Sequence, residues 1–201
     1  MRFDDPQRRN RGDPLAPVRG VLDEVNSQLA INYVPGCFMT VDEQLIEFHG
    51  RVKFKQYIPS KPGKFGIKVF WIVDAENTFP LKSLVYIGKD TLSEEERMEA
   101  STLGEAVVMN LAEPFIGCGW NITADNWFTD LTLAQKLLQR RTTFVGTVRN
   151  NRRFIPPAAK KTSRRVKGDS VHFYVKDATL CSFWDKKNKP VMILSTQHGS
   201  Q

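Results

Sequence analysis

The sequence predicts an α/β fold in which a mixed β-sheet carries helices on its faces. Three strand-like runs come first, and helix-like and strand-like segments then alternate along the chain. The run IKVFWIV (67–73) is almost wholly apolar and rich in β-branched and aromatic residues, as in a strand covered on both faces. With 201 residues, 41% of them hydrophobic, the chain can form one compact domain, or one domain with an incomplete second unit.

The first half of the chain supplies a helix and three strands. A short helix is predicted over 18–31, within a proline-rich lead-in segment at 1–35. Strands are predicted at 37–48, 67–73 and 80–88. The segment 51–66 is predicted to be a loop because its prolines and glycines interrupt a regular strand ladder.

The second half alternates helices with strands. The sequence TLGE (102–105) matches a capping box and opens a helix whose apolar stripe continues to Phe115. A strand ending at Asp125 and Asn126 follows, and then a helix over 132–140 and a strand over 143–150. Two further β-like runs, 171–175 and 191–196, come after a basic stretch.

The net charge of +7 is concentrated in two segments, 51–68 and 149–168, which contain no acidic residue. Outside them, acidic residues outnumber basic ones. Clustered Lys and Arg beside aromatic residues are typical of surfaces that bind nucleic acid, because phosphate neutralisation releases counterions. Charge alone leaves a second interpretation open: solvated basic loops, with a nuclear-import role for the second segment. The candidate DNA-binding residues are Arg51, Lys53, Lys55, Lys61, Lys64, Lys68, Arg149, Arg152 and Arg153.

Several protein classes are disfavoured by the sequence. No apolar run is long enough to span a membrane, and the charged first residues do not resemble a signal peptide, so we expect an intracellular protein. The cysteines at 37, 118 and 181 are widely spaced and contain no CxxC pair, which argues against a disulfide framework or a closed zinc site. The three histidines have no metal-ligand spacing and no partnered nucleophile.

Two aspartates follow strand-like runs, Asp42 in MTVDEQL and Asp125 in ITADNWF. If the two strands are neighbours in the sheet, the carboxylates lie together at one edge. Two close carboxylates repel each other unless a divalent cation lies between them, and carboxylate oxygens are ligands that Mg²⁺ prefers. The alternative is that each aspartate only hydrogen-bonds to backbone amides in its own turn.

The blocks TVDEQL, RVKFKQYIPSKPGKFGIK, NITADNWFT and FVGTVRNNRRFIP resemble the piggyBac family of transposases in order and spacing, over residues 15 to 195. The resemblance implies an RNase H-like fold and DNA cut-and-paste transposition by Mg²⁺- or Mn²⁺-dependent phosphoryl transfer at three aspartates. Asp42 and Asp125 match the first two of these and are therefore the expected catalytic residues and metal ligands.

The third aspartate of the family lies in a GVDxxDQ-type block that this sequence lacks. We therefore expect a C-terminally truncated chain that is inactive alone, with an incomplete RNase H-like core at 36–150. A basic linker and the start of an all-β insertion domain are expected at 151–201. Two alternatives are a non-catalytic DNA- or chromatin-binding domesticated module and a fragment of a longer active enzyme.

The resemblance also implies the partners and the location of the protein. DNA is the expected partner, with a second copy of the chain or a full-length transposase as a protein partner. Neither a membrane nor a small-molecule substrate is expected. The expected location is the nucleus.

Overall fold

The computed structural model describes residues 5–7, 9–160, 165–186 and 189–199. Its strands are β1 (Phe38–Glu47), β2 (Gln56–Tyr57), β3 (Phe65–Asp74), β4 (Pro80–Val85), β5 (Asn121–Ala124), β6 (Thr143–Val148), β7 (Ser170–Val175), β8 (Ala178–Lys186) and β9 (Lys189–Ser195). Its α-helices are α1 (Arg19–Asn32), α2 (Glu94–Glu99), α3 (Leu103–Ala112), α4 (Leu131–Gln139) and α5 (Pro157–Lys160), with short 3-10 helices at Lys89–Thr91 and Glu113–Phe115.

The described strands form one nine-stranded mixed sheet, which confirms the predicted α/β class. Its order is β2-β3-β1-β5-β6-β9-β8-β7, and β4 also pairs with β3. The pairs β1–β5 and β5–β6 are parallel, whereas β3 runs antiparallel to β1, β2 and β4. Because parallel strands need crossover connections, the segments carrying α3 and α4 return the chain to the same end of the sheet. The carboxyl ends of β1, β5 and β6 therefore share one edge.

The core lies between the sheet and helices α3 and α4. Strand β1 alternates in burial: Met39 and Val41 are fully buried, whereas Asp42 is exposed. The side chains that fill this core are wholly removed from solvent, and burial of such residues contributes about 1.5–3 kcal/mol each. They include Phe70 and Ile72 of β3, Val107, Val108 and Leu111 of α3, Ile122 of β5, Leu133 and Leu137 of α4, and Phe144 of β6.

Helix α3 begins at the predicted residue, but its cap differs from the predicted box. Thr102 accepts the N–H of Glu105 at 3.1 Å, as expected. The Glu105 carboxylate, however, accepts the N–H of Ser101 and lies 2.6 Å from Lys136 Nζ on α4. Burial opposes ionisation of Glu105, but the bonds from Lys136 and Ser101 outweigh it and hold its pKa below the usual value. Glu105 therefore joins α3 to α4 at the core.

Strands β7 to β9 continue the sheet from β6. Val148 pairs with Met192, and Met192 and Leu194 belong to the same buried cluster as the rest of the core. Strand β8 was not predicted. Strand β7 lies at the edge, where Val171, Tyr174 and Val175 are exposed. The boundary between a core and an insertion domain at 150/151 stays a prediction. Lys161 and Arg164 of the second basic segment lie outside the described residues.

Within the part of the chain that the structure describes, no helix has both the length and the apolar character needed to cross a lipid bilayer.

Gly146 of β6 provides a test of this packing. A Cβ atom at this position would lie 2.2 Å from Thr129 Oγ1 and 2.9 Å from the carbonyl oxygen of Ala124. We expect Gly146→Ala to lower the free energy of unfolding by about 1–3 kcal/mol, because the backbone contact leaves no room for repacking. Urea denaturation measures the change.

The matched control is Gly20→Ala in α1, where an added Cβ meets nothing within 4 Å. This variant should be as stable as the parent or more stable by up to about 1 kcal/mol, because alanine favours the helix. Equal stability of the two variants would contradict the described packing around β6.

Candidate active site

Asp42 and Asp125 lie side by side where β5 ends against the middle of β1. The last paired positions of the parallel strands β1 and β5 are Val41 and Ala124, and each aspartate is the next residue. Adjacent strands are about 4.8 Å apart, so the two carboxylates lie within reach of one cation. Both side chains are exposed, and Asp42 is on the sheet face opposite α3 because Val41 is buried on the other face. The predicted adjacency of the two strands is confirmed.

Each aspartate makes one local hydrogen bond. Asp42 Oδ1 accepts the N–H of Glu43 at 2.7 Å, and Asp125 Oδ1 accepts the N–H of Trp127 at 2.8 Å. The turn role considered for these aspartates is real for Asp125 only. The sequence prediction that Asp42 ends its strand was wrong, because β1 continues past Asp42 to Glu47 through its pairing with β3. The two hydrogen bonds involve one oxygen of each carboxylate, and no hydrogen bond to Oδ2 of either aspartate is found among the described residues. Both carboxylates keep capacity to bind another group.

The turn that carries Asp125 is fixed by the core. The carbonyl oxygen of Asp125 accepts both the N–H and the hydroxyl of Thr129, at 3.1 Å and 2.7 Å. Phe128 is fully buried, and the Trp127 ring stacks on Phe70 with 5.4 Å between ring centroids. These contacts set the position of the Asp125 backbone while its carboxylate stays in solvent.

Each basic segment contacts a residue that directly follows one of the two aspartates. Lys61 Nζ lies 3.4 Å from Glu43 Oε1, and Glu43 directly follows Asp42. Arg149 Nε donates to Asn126 Oδ1 at 2.8 Å, and Asn126 directly follows Asp125. Two segments that are far apart in sequence are thus connected to the same edge. Sequence reasoning missed both links, because neither pair shares a motif.

The candidate DNA-binding residues differ in how freely they can meet a ligand. Arg152 lies 3.4 Å from Asp130 and donates to the carbonyl oxygen of Thr129, so it fixes the start of α4. Lys55 Nζ donates to the carbonyl oxygen of Gly50. Lys61 and Lys68 are half-buried. The exposed candidates are Arg51, Lys53, Lys64, Arg149 and Arg153. A role in DNA binding stays a prediction for all nine.

Asp74 is excluded from the site by its position. It pairs with Met39 at the start of β1, away from Asp42, and its side chain is fully buried. Its carboxylate accepts backbone N–H groups from Gly36 and Asn77, and these bonds hold its pKa below the usual value. Asp74 is therefore a structural residue that caps a turn.

The two aspartates fit part of a divalent-metal site. Mg²⁺ commonly uses one or two protein carboxylates and completes its shell with water and phosphate oxygens, and both Oδ2 atoms can serve here. Across residues 5–7, 9–160, 165–186 and 189–199, no group of three or more His, Cys, Asp or Glu side chains could hold a metal. The described residues thus supply two carboxylates of such a site and no third.

The fold and the neighbouring aspartates of β1 and of the turn after β5 are typical of DDE-type transposases. The profile of the family described as Transposase IS4 matches residues 1–201, and this chain belongs to that family, as a piggyBac-type member. A piggyBac transposase solved by cryo-EM as a synaptic complex with hairpin DNA is 39% identical and superposes with a TM-score of 0.89. The match covers 97% of this chain and 41% of that one, and it supports the expected RNase H-like core.

The exposed aspartates should not stabilise the fold. In water, two carboxylates at this spacing repel each other by up to about 1 kcal/mol, so we expect Asp42→Asn to leave the free energy of unfolding unchanged or raise it. Asparagine still accepts the N–H of Glu43. Thermal or urea denaturation in metal-free, low-salt buffer measures the change.

Asp130→Asn is the matched control, because asparagine keeps the helix cap of α4 but removes the ion pair with Arg152. That variant should lose about 0.5–1 kcal/mol. If Asp42→Asn is instead the more damaging change, Asp42 has a structural role and the described site is wrong.

Proposed function

We propose that this chain forms part of the catalytic domain of a piggyBac-type DNA transposase. In this role it supplies two of the carboxylates needed for metal-dependent phosphoryl transfer on DNA. The observation that carries the proposal is the register of β1 and β5, in which Val41 pairs with Ala124 and the next residues are Asp42 and Asp125. The similar transposase was solved with hairpin DNA, which supports DNA as the substrate.

The proposed ligands of the metal are Asp42 and Asp125. Mg²⁺ is the proposed ion, with Mn²⁺ as a substitute, and such an ion stabilises negative charge on a phosphoryl group and activates the attacking oxygen. The chain itself orients the two carboxylates. It does so through the N–H groups of Glu43 and Trp127, and through the buried side chain of Phe128 that fixes the second turn.

Positive charge beside the aspartates supports the binding of DNA at this edge. Arg149 is exposed and held by Asn126, and Arg153 is exposed in the same basic segment. Lys and Arg at such positions neutralise backbone phosphates, which orients a duplex without reading its sequence. We also propose a nuclear location, where these segments would meet chromosomal DNA, and self-association through DNA with a second copy.

The chain alone is proposed not to cleave DNA, because its sequence lacks the family's third aspartate block. A second candidate function, a non-catalytic DNA-binding module, is favoured by the positive charge concentrated in the segments 51–68 and 149–168. The two candidates differ in one property. The transposase site requires a metal between the aspartates, whereas the binding module requires only the basic surface.

Metal binding tests the role of the aspartates. We expect the chain to bind Mn²⁺ weakly, and Asp42→Asn or Asp125→Asn to lower the affinity by roughly tenfold or more, because each removes one of two charged ligands. Electron paramagnetic resonance of free Mn²⁺ during a titration measures the affinity. Asp177→Asn, at an exposed turn between β7 and β8, is the control and should change nothing. Equal affinity of all four proteins would contradict the proposal.

Salt dependence tests the role of the basic residues. We expect the double variant Arg149→Gln, Arg153→Gln to reduce the slope of log affinity against log salt by about 0.9 for each lost phosphate contact. The charge-matched control is Lys89→Gln, Arg140→Gln, two exposed basic residues outside both basic segments. A random-sequence duplex in a fluorescence anisotropy assay is sufficient. Equal slopes for the two double variants would reject this surface as the DNA-binding site.

A further inference from the structure

Lys68 differs from the other candidate DNA-binding residues because aromatic rings surround its ammonium group. The Nζ atom lies 4.5 Å from the centroid of Trp127, 4.6 Å from that of Phe70 and 5.6 Å from that of Tyr86. The rings come from three parts of the sheet: β3, the residue after β4, and the turn after β5. Ring faces attract a cation, and the attraction is larger where water is partly excluded. The structure therefore holds a charged group at a fixed place.

The hydrogen-bonding capacity of this ammonium is not used by the chain. An ammonium has three N–H donors, and aromatic faces do not accept them as oxygen atoms do. Over the described ranges, no hydrogen bond or ion pair to Lys68 Nζ is found. Lys61 differs in this respect, because its ammonium pairs with Glu43. Lys68 is thus a fixed cation with donors available for a ligand.

Lys68 is electrostatically connected to the candidate active site. Burial lowers its pKa, whereas the negative charges of Glu43 and Asp125 act in the opposite direction. A structural link exists as well: the N–H of Trp127 donates to Asp125 Oδ1, and the ring of the same residue lies under Lys68. One residue therefore positions both the carboxylate and the cation.

We propose that Lys68 is the phosphate-binding cation beside Asp125. This inference rests on the proposed function. A DNA phosphate cannot approach two carboxylates unless positive charge offsets the repulsion, and a bound metal supplies only part of it. In the DNA complex, the Lys68 ammonium donates to a non-bridging oxygen of a phosphate next to Asp125. Without DNA, the same charge competes with the metal for the Asp125 carboxylate.

The variant Lys68→Met keeps an apolar side chain over the rings and removes the charge. We expect it to lower the affinity for DNA without lowering the affinity for Mn²⁺. Affinity for a random-sequence duplex in Mn²⁺ should fall roughly tenfold, as for loss of a charge-assisted hydrogen bond, with the salt slope smaller by about 0.9. The affinity for Mn²⁺ without DNA should be equal or higher, because a competing cation is gone. Lys68→Arg should keep the DNA affinity and the slope.

The matched control is Lys82→Met. Lys82 is also half-buried with a pKa lowered by burial, and it lies on the same face of the sheet as Lys68, but its Nζ donates to the carbonyl oxygen of Asn110 in α3 at 2.6 Å. This variant should show the parent's salt slope. A Lys68→Met variant with parental DNA affinity and slope overturns the proposal. So does one in which Mn²⁺ and DNA affinity fall together, because that pattern indicates damage to the Asp125 turn.

The same titrations separate this inference from the proposed function. If the parent chain binds Mn²⁺ through Asp42 and Asp125 while Lys68→Met behaves like the parent, only the role of Lys68 is wrong. If the parent chain binds no Mn²⁺ at those residues, the proposed function itself fails, and the role of Lys68 fails with it.

Discussion

The parallel pairing of β1 with β5 is the constraint on which the candidate active site depends. Neither aspartate is distinctive alone, since each makes one hydrogen bond, to a backbone N–H close by in the chain. The register Val41 with Ala124 turns two ordinary positions into a pair of adjacent carboxylates. That register in turn needs the buried layer between the sheet and helices α3 and α4. Ile122, Leu133 and Phe144, from three successive elements, are fully buried there.

The arrangement separates the groups that stabilise the fold from the groups that remain free. Asp74, Glu105 and Asp130 are acidic residues with partners, in a turn, between two helices and at a helix start. Asp42 and Asp125 keep one oxygen each without a hydrogen bond in the described part of the chain. The basic residues differ in the same way. Arg152 pairs with Asp130 at the start of α4, whereas the Lys68 ammonium packs on aromatic rings and has N–H donors without an acceptor in the described part of the chain. Free charges of both signs thus lie at one edge of the sheet.

The sequence predicted much of the local structure, because strands and helix starts are encoded in short segments of the chain. Apolar runs predicted most of the strands, and the aspartates that follow two of these runs were the predicted metal ligands. Strand β8 was missed because ATLCSFWDK has no clean alternation. Helix α2 was also not predicted. It begins with a capping box at Ser93 and Glu96, but it is short and exposed, so it lacks a clear apolar stripe. The predicted capping box of α3 was only partly right. Thr102 caps the helix as expected, but Glu105 pairs with Lys136 of α4 and does not accept the N–H of Thr102.

The sequence identified the two aspartates of the site but did not determine the order of the strands that brings them together. Sequence patterns predicted both aspartates at strand ends, which is right for Asp125 and wrong for Asp42, since β1 continues to Glu47. The pairing of β1 with β5 depends on tertiary structure, which sequence patterns do not contain. The contacts of Arg149 with Asn126 and of Lys68 with Trp127 join residues from different elements without a shared motif. The resemblance to piggyBac transposases indicated the two aspartates, and the structure adds the surrounding charges.

The most direct test of this account is the anomalous scattering of Mn²⁺ in crystals of the chain grown with the ion. The account predicts a peak in contact with the carboxylates of both Asp42 and Asp125. A peak elsewhere, or none at this edge of the sheet at saturating Mn²⁺, would contradict the claim that the β1–β5 register forms a metal-binding site.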